Sequence, residues 1–216
     1  MAAKLGERRT GERRAQILQT LAAMLEKPRA EKITTAALAA RLDVSEAALY
    51  RHFASKAQMF EGLIEFIEQS LFSTINKIIS EQESGVAQVD AIVALLLGFA
   101  RKNPGMTRVL IGDALVNENE RLQARINQLV DRLEATLKQS LRFAASERAG
   151  QEEKSEPALA ANALISFVIG RWHQFAKSGF KRDPRENWPE IGRTLIGIQS
   201  GQTQSSEGNE AEGING

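Results

Sequence analysis

The chain has 216 residues, of which 43% are hydrophobic and 25% charged, with a net charge of +1; that is enough apolar material for a sizeable core. The absence of cysteine excludes disulfides, thiolate nucleophiles and zinc–thiolate sites. The N-terminal MAAKLGERRTGERR has no apolar centre like that of a signal peptide, and the longest apolar run, 91–100, is too short for a bilayer, so a cytoplasmic location is expected.

The near-neutral balance hides an asymmetry. Residues 1–56 carry 11 Lys and Arg against 6 Asp and Glu, whereas the remaining 160 carry 17 against 21. A basic N-terminal module on a mildly acidic body is the distribution expected when only the first part meets nucleic acid.

Residues 1–10, with Lys4, Arg8 and Arg9, read as a flexible basic arm, either a solvated tail or a strap along a DNA backbone. A first helix is expected from Glu12 to Leu25, with Leu18, Leu21, Ala22 and Leu25 on one stripe and Pro28 as its stop. The stretch ITTAALAARLDVSEAALYRHFASK (33–56) then has the plan of a helix-turn-helix, which assigns 11–56 to a three-helix DNA-binding domain. Thr34 and Thr35 are good N-caps for a short helix over Ala36 to Leu42. Asp43 tolerates the left-handed turn, and Ser45 caps the second helix. Leu38, Leu42, Val44, Leu49 and Phe53 form the internal glue, leaving Ala47, Tyr50 and Arg51 facing outward.

Residues 57–199 read as a helical body. A long helix from Lys56 to about Ile79 carries the inward stripe Phe60, Ile64, Ile67, Leu71, Ile75 and Ile78. Phe66 lies about 120° from the middle of that stripe, and burial under a neighbouring helix is the favoured reading. After a linker at 81–85, a helix from Val86 to Lys102 buries Val89, Ile92, Val93 and Leu96. Its opposite face gathers Leu95, Gly98 and Lys102. Two readings stay open there: a groove for an extended apolar-acidic peptide, or close helix packing at the glycine. Asn103-Pro104-Gly105 turns the chain into a short helix, Met106 to Leu115. A long helix from Glu118 to Ala145 follows, with Leu122, Ile126, Leu129, Leu133, Leu137 and Leu141 in register. After a polar loop at 150–156, Pro157 starts a helix to Lys177 that is apolar around much of its girth. That breadth points to burial on two sides and a dimer interface through Leu164, Phe167, Val168, Arg171, Trp172 and Phe175. A last helix opens at Trp188-Pro189 with Ile191, Leu195 and Ile196. The tail 200–216 has almost no apolar residue and is expected to be disordered. No strand-like alternation occurs, so the expected fold is all-α, with nine helices.

Catalysis has no foothold. His52 and His173 lie far apart without a metal-site spacing of carboxylates, and no nucleophile elbow, P-loop or dinucleotide-binding glycine pattern occurs. No enzyme activity, cofactor or metal is expected. DNA contacts are well supplied. Thr34, Thr35 and Ser45 offer donors to phosphate, while Ala47 and Ala48 let the helix seat deeply. Arg51 has the reach to pair with guanine, and Tyr50, His52 and Lys56 suit the groove edge.

The T…LA…VS…LYRHF..K pattern within 33–56 resembles the DNA-binding domain of the TetR family, and the helix order fits across nearly the whole chain. Asp43 replaces the usual turn glycine, and Ala54 the common proline of HFPSK. The resemblance implies a homodimer on palindromic double-stranded DNA. SEAALYRHF, LIEFIEQSL, LLLGFARKNPG, TRVLIGDAL and RLQARINQL are similar, more narrowly, to the nucleoid occlusion branch of that family. What this implies is a nucleoid-associated protein that antagonises the division tubulin homologue FtsZ while bound to chromosomal sites. It also implies that the FtsZ C-terminal tail docks at Phe66, Leu95, Gly98, Lys102 and Asn103, where Lys102 replaces a common arginine. Whether one or two dimers occupy a site is left open. The alternative is a ligand-responsive repressor whose effector sits among the body helices.

Overall fold

A computed structural model describes residues 2–27, 33–147 and 156–196. Among these there are nine α-helices and no strand: α1 Ala2–Leu25, α2 Thr35–Arg41, α3 Glu46–Tyr50, α4 Lys56–Glu81, α5 Gly85–Lys102, α6 Pro104–Leu110, α7 Glu120–Glu147, α8 Pro157–Lys177 and α9 Trp188–Ile196, with one 3₁₀ turn at Asp113–Leu115. The all-α expectation holds. No described helix is long and apolar enough to cross a membrane. The expected loop at 150–156 and the tail 200–216 lie almost wholly outside the described residues, as does Pro28.

The long stripes come out as read. In α7 all six expected leucines and isoleucines are buried, and α4 buries Phe60, Ile64, Ile67, Leu71 and Ile75. Only Ile78, near the end of α4, is half-exposed. α7 packs between α5 and α8, and α4 lies along α5 and α7. Several buried polar groups of the body are matched, although Arg171 Nε has no partner among the described residues. The buried Thr107 hydroxyl donates to the Ala100 or Asn103 carbonyl, at 3.1 and 3.0 Å. The Trp172 indole N–H donates to the Leu96 carbonyl at 3.1 Å. The Gln88 amide donates to the carbonyls of Ile79 and Gln82, which ties the end of α4 to α5.

Three expectations are corrected. The helix placed at Glu12 begins at Ala2, so the segment 2–10 is helical and continuous with the rest of α1. Ala, Lys, Leu, Glu and Arg there are strong helix formers, and Gly11 costs only about 1 kcal/mol against alanine. Ile17, not Leu18, is the buried start of the α1 stripe, while Leu18 is half-exposed. The helix expected over 106–115 starts at Pro104, where proline's fixed φ suits a first turn, and it ends at Leu110 ahead of a left-handed Gly112.

The DNA-binding end meets the body through α1 against α6. A Cβ on Gly105 would stand 2.0 Å from the Ala22 carbonyl oxygen, so only glycine permits this approach. Arg108, one turn further along α6, donates to the carbonyls of Leu25 and Lys27 and so caps the end of α1. Its Nε is held by Asp113 at 2.6 Å.

Gly105→Ala is therefore expected to force α1 and α6 apart, at a cost of about 2 kcal/mol or more, lowering the thermal midpoint followed by circular dichroism. Gly98→Ala is the contrast. A Cβ there meets only Arg185 Cδ, at 3.9 Å, so the change is expected to stabilise α5 by up to about 1 kcal/mol.

Candidate nucleic-acid interface and partner groove

The helix-turn-helix is assembled by caps. Thr34 Oγ1 accepts from the Ala37 N–H at 3.1 Å and Ser45 Oγ from the Ala48 N–H at 3.3 Å, starting α2 and α3 respectively. Between them Asp43 sits at φ 54°, the left-handed turn that its short polar side chain tolerates. Leu38, Leu49 and Phe53 are buried, and Leu42 and Val44 pack half-buried against them. Ser55 caps α4 by accepting from the Gln58 N–H, while the Gln58 side chain accepts from the Ala54 N–H at 2.8 Å. A proline at 54 has no N–H to give, so alanine adds a bond to this cap.

That framework leaves Thr34, Ser45, Ala47, Tyr50 and Arg51 exposed on one end, with Thr35 and Ala48 half-exposed among them. The arrangement gives donors and a guanidinium around two alanines, which suits a helix entering a major groove. Three details depart from the residue reading. Lys56 pairs with Glu118, ahead of α7, and its side chain is only 22% exposed, so it braces the domain against the body. His52 is half-buried; its carbonyl accepts from Arg14, whose guanidinium lies 4.1 Å from the centre of the Phe53 ring. Thr35 donates to Glu46, and the Tyr50 hydroxyl donates to Thr35 Oγ1 at 3.4 Å. Sequence reasoning missed Glu46, although it directly follows the Ser45 cap. Its carboxylate joins the two short helices through Thr35 and favours the N-terminus of α3.

On the body, Phe66 is 45% exposed rather than covered. α5 turns Leu95, Gly98 and Lys102 outward, with Lys102 fully at the surface. Gly98 is no site of close helix packing, which decides between its two readings in favour of open surface. Gly85, by contrast, is pressed against the α7 backbone, where a Cβ would lie 2.3 Å from the Ala144 nitrogen. Asn103 caps the end of α5, its amide donating to the Phe99 carbonyl at 2.8 Å. Along α4 and α7, Arg121 pairs with Glu61 at 2.7 Å and Arg125 with Glu68 at 2.8 Å. The hydrogen bond to Glu68 raises the Arg125 pKa above its ordinary value.

The dimer assignment on α8 needs correction. Leu164, Val168, Trp172 and Phe175 are buried inside the single chain, against α5, α7 and neighbours. Phe167 stacks on Trp188, ring centres 5.6 Å apart, and Arg171 lies over Phe167 while donating to the Glu186 carbonyl. The apolar girth of α8 is consumed by core on one side and α9 on another. What remains outward is a flat, small-residue face of Leu159, Ala163, Ser166 and Gly170. There Leu159 is 67% exposed and a Cβ on Gly170 would meet nothing within 4 Å.

Residues 17–63 match the family described as bacterial regulatory proteins of the tetR family, and residues 83–196 match the SlmA-like tetracyclin repressor-like C-terminal domain. The chain is 54% identical over 178 residues to the nucleoid occlusion factor SlmA of Alteromonas mediterranea, covering 82% of this chain and 91% of that one. The chain belongs to the SlmA family of nucleoid occlusion factors, within the TetR family. The SlmA of a Marinomonas species is 53% identical, covering 83% of this chain and 90% of its own length. Solved structures with the same fold include the fatty acid degradation regulator FadR of Bacillus halodurans. Its TM-score is 0.70 at 14% identity, over 86% of this chain and 98% of that one. The regulator PfmR of Thermus thermophilus gives 0.63 at 20% identity, over 85% and 92%. At such identities these two speak for the fold alone. SlmA membership makes the N-terminal end a DNA-binding surface, with Asp43 and Ala54 as tolerated departures from the common TetR turn and cap.

Thr34→Ala removes the α2 cap, and Tyr50→Ala a surface contact that no core residue depends on. Both are expected to weaken DNA binding at least ten-fold in fluorescence anisotropy, with helicity retained. Lys56→Met is expected instead to lower the thermal midpoint while leaving the salt dependence of DNA binding unchanged, because no phosphate contact is lost. A flattened salt slope in that variant would return Lys56 to the DNA.

Proposed function

We propose that this protein, bound as a homodimer to chromosomal palindromes over the nucleoid, antagonises FtsZ assembly by docking the acidic C-terminal tail of FtsZ on the outer surface of α4 and α5. The observation that carries this reading is the open strip at Gly98. On α5 Leu95 is half-exposed, Gly98 has no helix packed against it and Lys102 is exposed at the helix end, while Phe66 is exposed on the neighbouring α4, all on the same chain as a helix-turn-helix. An extended peptide needs a strip where its backbone can approach closely and alternate side chains find apolar footing. Glycine at the centre supplies the first and Phe66 with Leu95 the second. A cation at the end selects acidic sequences.

The dimer fits the same scheme. A two-fold axis through α8 places two equal DNA-binding ends on one palindrome. The flat face of Leu159, Ala163, Ser166 and Gly170 admits a second α8 at short distance, because none of these side chains except Leu159 projects far. The body supplies little for an effector-responsive repressor. Among the described residues its stripes are closed, and a cavity of about 680 Å³, lined in part by Arg108, Asp113, Gln123, His173 and Lys177, is an open cleft rather than an enclosed apolar chamber.

A labelled peptide of the FtsZ C-terminal tail is expected to bind saturably in fluorescence anisotropy, more tightly with a palindromic duplex present. Phe66→Ala and Lys102→Glu are expected to weaken it at least ten-fold while DNA affinity stays within two-fold. If the wild-type protein ignores the peptide with and without DNA, the docking reading is wrong. Ala163→Glu, which places a charge on the α8 face, is expected to convert the dimer to monomer in size-exclusion chromatography with light scattering.

A further inference from the structure

The strip along α5 has a second wall that the sequence does not announce. The loop between α8 and α9 brings Arg185 beside Gly98, eighty-seven positions away, with its Cδ 3.9 Å from where a glycine Cβ would stand. The stem of Arg185 therefore lies alongside the glycine, and its guanidinium extends past it with the side chain 45% exposed. The loop is rigid where it matters. Pro184 is buried, the Trp188 N–H donates to the Arg185 carbonyl at 3.0 Å, and the Trp188 indole is anchored on Asp90 at 3.0 Å. Asp183 accepts from the Arg185 N–H at 3.0 Å.

The electrostatics of this wall are incomplete. One carboxylate, Asp183, stands between two guanidinium groups, 3.3 Å from Arg101 Nε and 3.7 Å from Arg185 Nε. Among the described residues two forked cations share one anion, which leaves a positive charge uncompensated, and Lys102 adds another on the same helix as Arg101. The contact from Arg185 is long for an ion pair between exposed groups, and such pairs hold weakly. An incoming carboxylate has little to displace.

We propose that Arg185 is the second anchor of the docking groove. An extended acidic peptide runs along α5 over Gly98, between Phe66 on one side and Arg185 on the other, and gives a carboxylate to the Arg185 fork. This rests on the reading that the α4–α5 surface takes an acidic tail. It explains how a groove with lysine at 102 retains a planar, two-pronged carboxylate partner: the fork that lysine lacks is supplied from the α8–α9 loop. Asp183 occupies that fork internally when the groove is empty, so it acts as a weak competitor for the same site.

The test uses the full-length dimer and a labelled FtsZ C-terminal tail peptide, beside a control peptide whose Asp and Glu are replaced by Asn and Gln. Arg185→Glu is expected to weaken the acidic peptide at least ten-fold, and Arg185→Lys to fall between it and wild type. DNA affinity and thermal midpoint are expected to stay at wild-type values. Asp183→Asn keeps the oxygen that accepts from the Arg185 N–H but removes the competing charge, so it is expected to tighten binding about two- to five-fold. The control peptide is expected to be insensitive to both positions. Peptide binding abolished by Lys102→Glu yet unchanged by Arg185→Glu would overturn this inference and leave the groove itself standing. So would an Asp183→Asn variant as weak as Arg185→Glu, since that would make the pair a support of the loop. No binding of the peptide by wild type would remove the groove reading, and this inference with it.

Discussion

Everything at the two ends of this molecule depends on how closely α1 and α6 approach. Backbone meets backbone at Gly105 and the Ala22 carbonyl, with no side chain between them. Arg108 then closes the end of α1 by donating to the carbonyl of its last residue, Leu25, and to that of Lys27 just beyond. A contact of that kind is stiff, because interpenetrating backbone cannot yield the way a flexible side chain can. Lys56 with Glu118 and Arg121 with Glu61 repeat the bracing on the other side of α4. The DNA-binding end is therefore mounted on the body along two lines, and a tilt of α1 on DNA is felt directly by α6. α6 in turn continues from Asn103, the last residue of the proposed docking strip.

The charge asymmetry has a matching spatial logic. Basic residues near the helix-turn-helix are left outward, as with Arg51, or spent on local structure, as with Arg14 over Phe53. Two acids of α4, Glu61 and Glu68, are paired with arginines of α7. Near the end of α5 the balance differs: Asp183, on the loop between α8 and α9, faces two arginines, Arg101 and Arg185, while the acid of α5 itself, Asp90, is bonded to the Trp188 indole. A mildly acidic body thus still presents one positive lane, which bulk composition alone would have hidden.

What sequence made legible was whatever repeats at helical spacing. Six apolar positions in α7 and five in α4 were read from periodicity because burial there involves one continuous stripe facing one core. The caps at Thr34 and Ser45 were legible for the same local reason: a hydroxyl bonds an N–H three residues on. Failures came where two surfaces compete for one residue. α8 is apolar around much of its girth, and periodicity cannot say which side faces its own core, so four of the six residues expected at the dimer face lie in the core of the single chain. Lys56 belongs to the motif by sequence yet to Glu118 in space, a partner sixty-two positions away. Arg185 left no trace, because loop residues that come beside a distant helix carry no spacing at all.

The placement of three aromatic rings gives this protein an unplanned optical division. Its one tyrosine, Tyr50, is on α3 at the DNA-facing end, and both tryptophans, Trp172 and Trp188, are in the body with their indole N–H groups bonded to Leu96 and Asp90. Trp172 is fully enclosed and Trp188 nearly so. Red-edge excitation therefore lights only the regulatory half, while tyrosine absorbance changes belong to the recognition helix. Unfolding of one half ahead of the other would be visible in unlabelled protein, as two colours separating in the same cuvette. Because Trp188 hangs from the loop that carries Arg185, its emission also reports on the surroundings of Gly98.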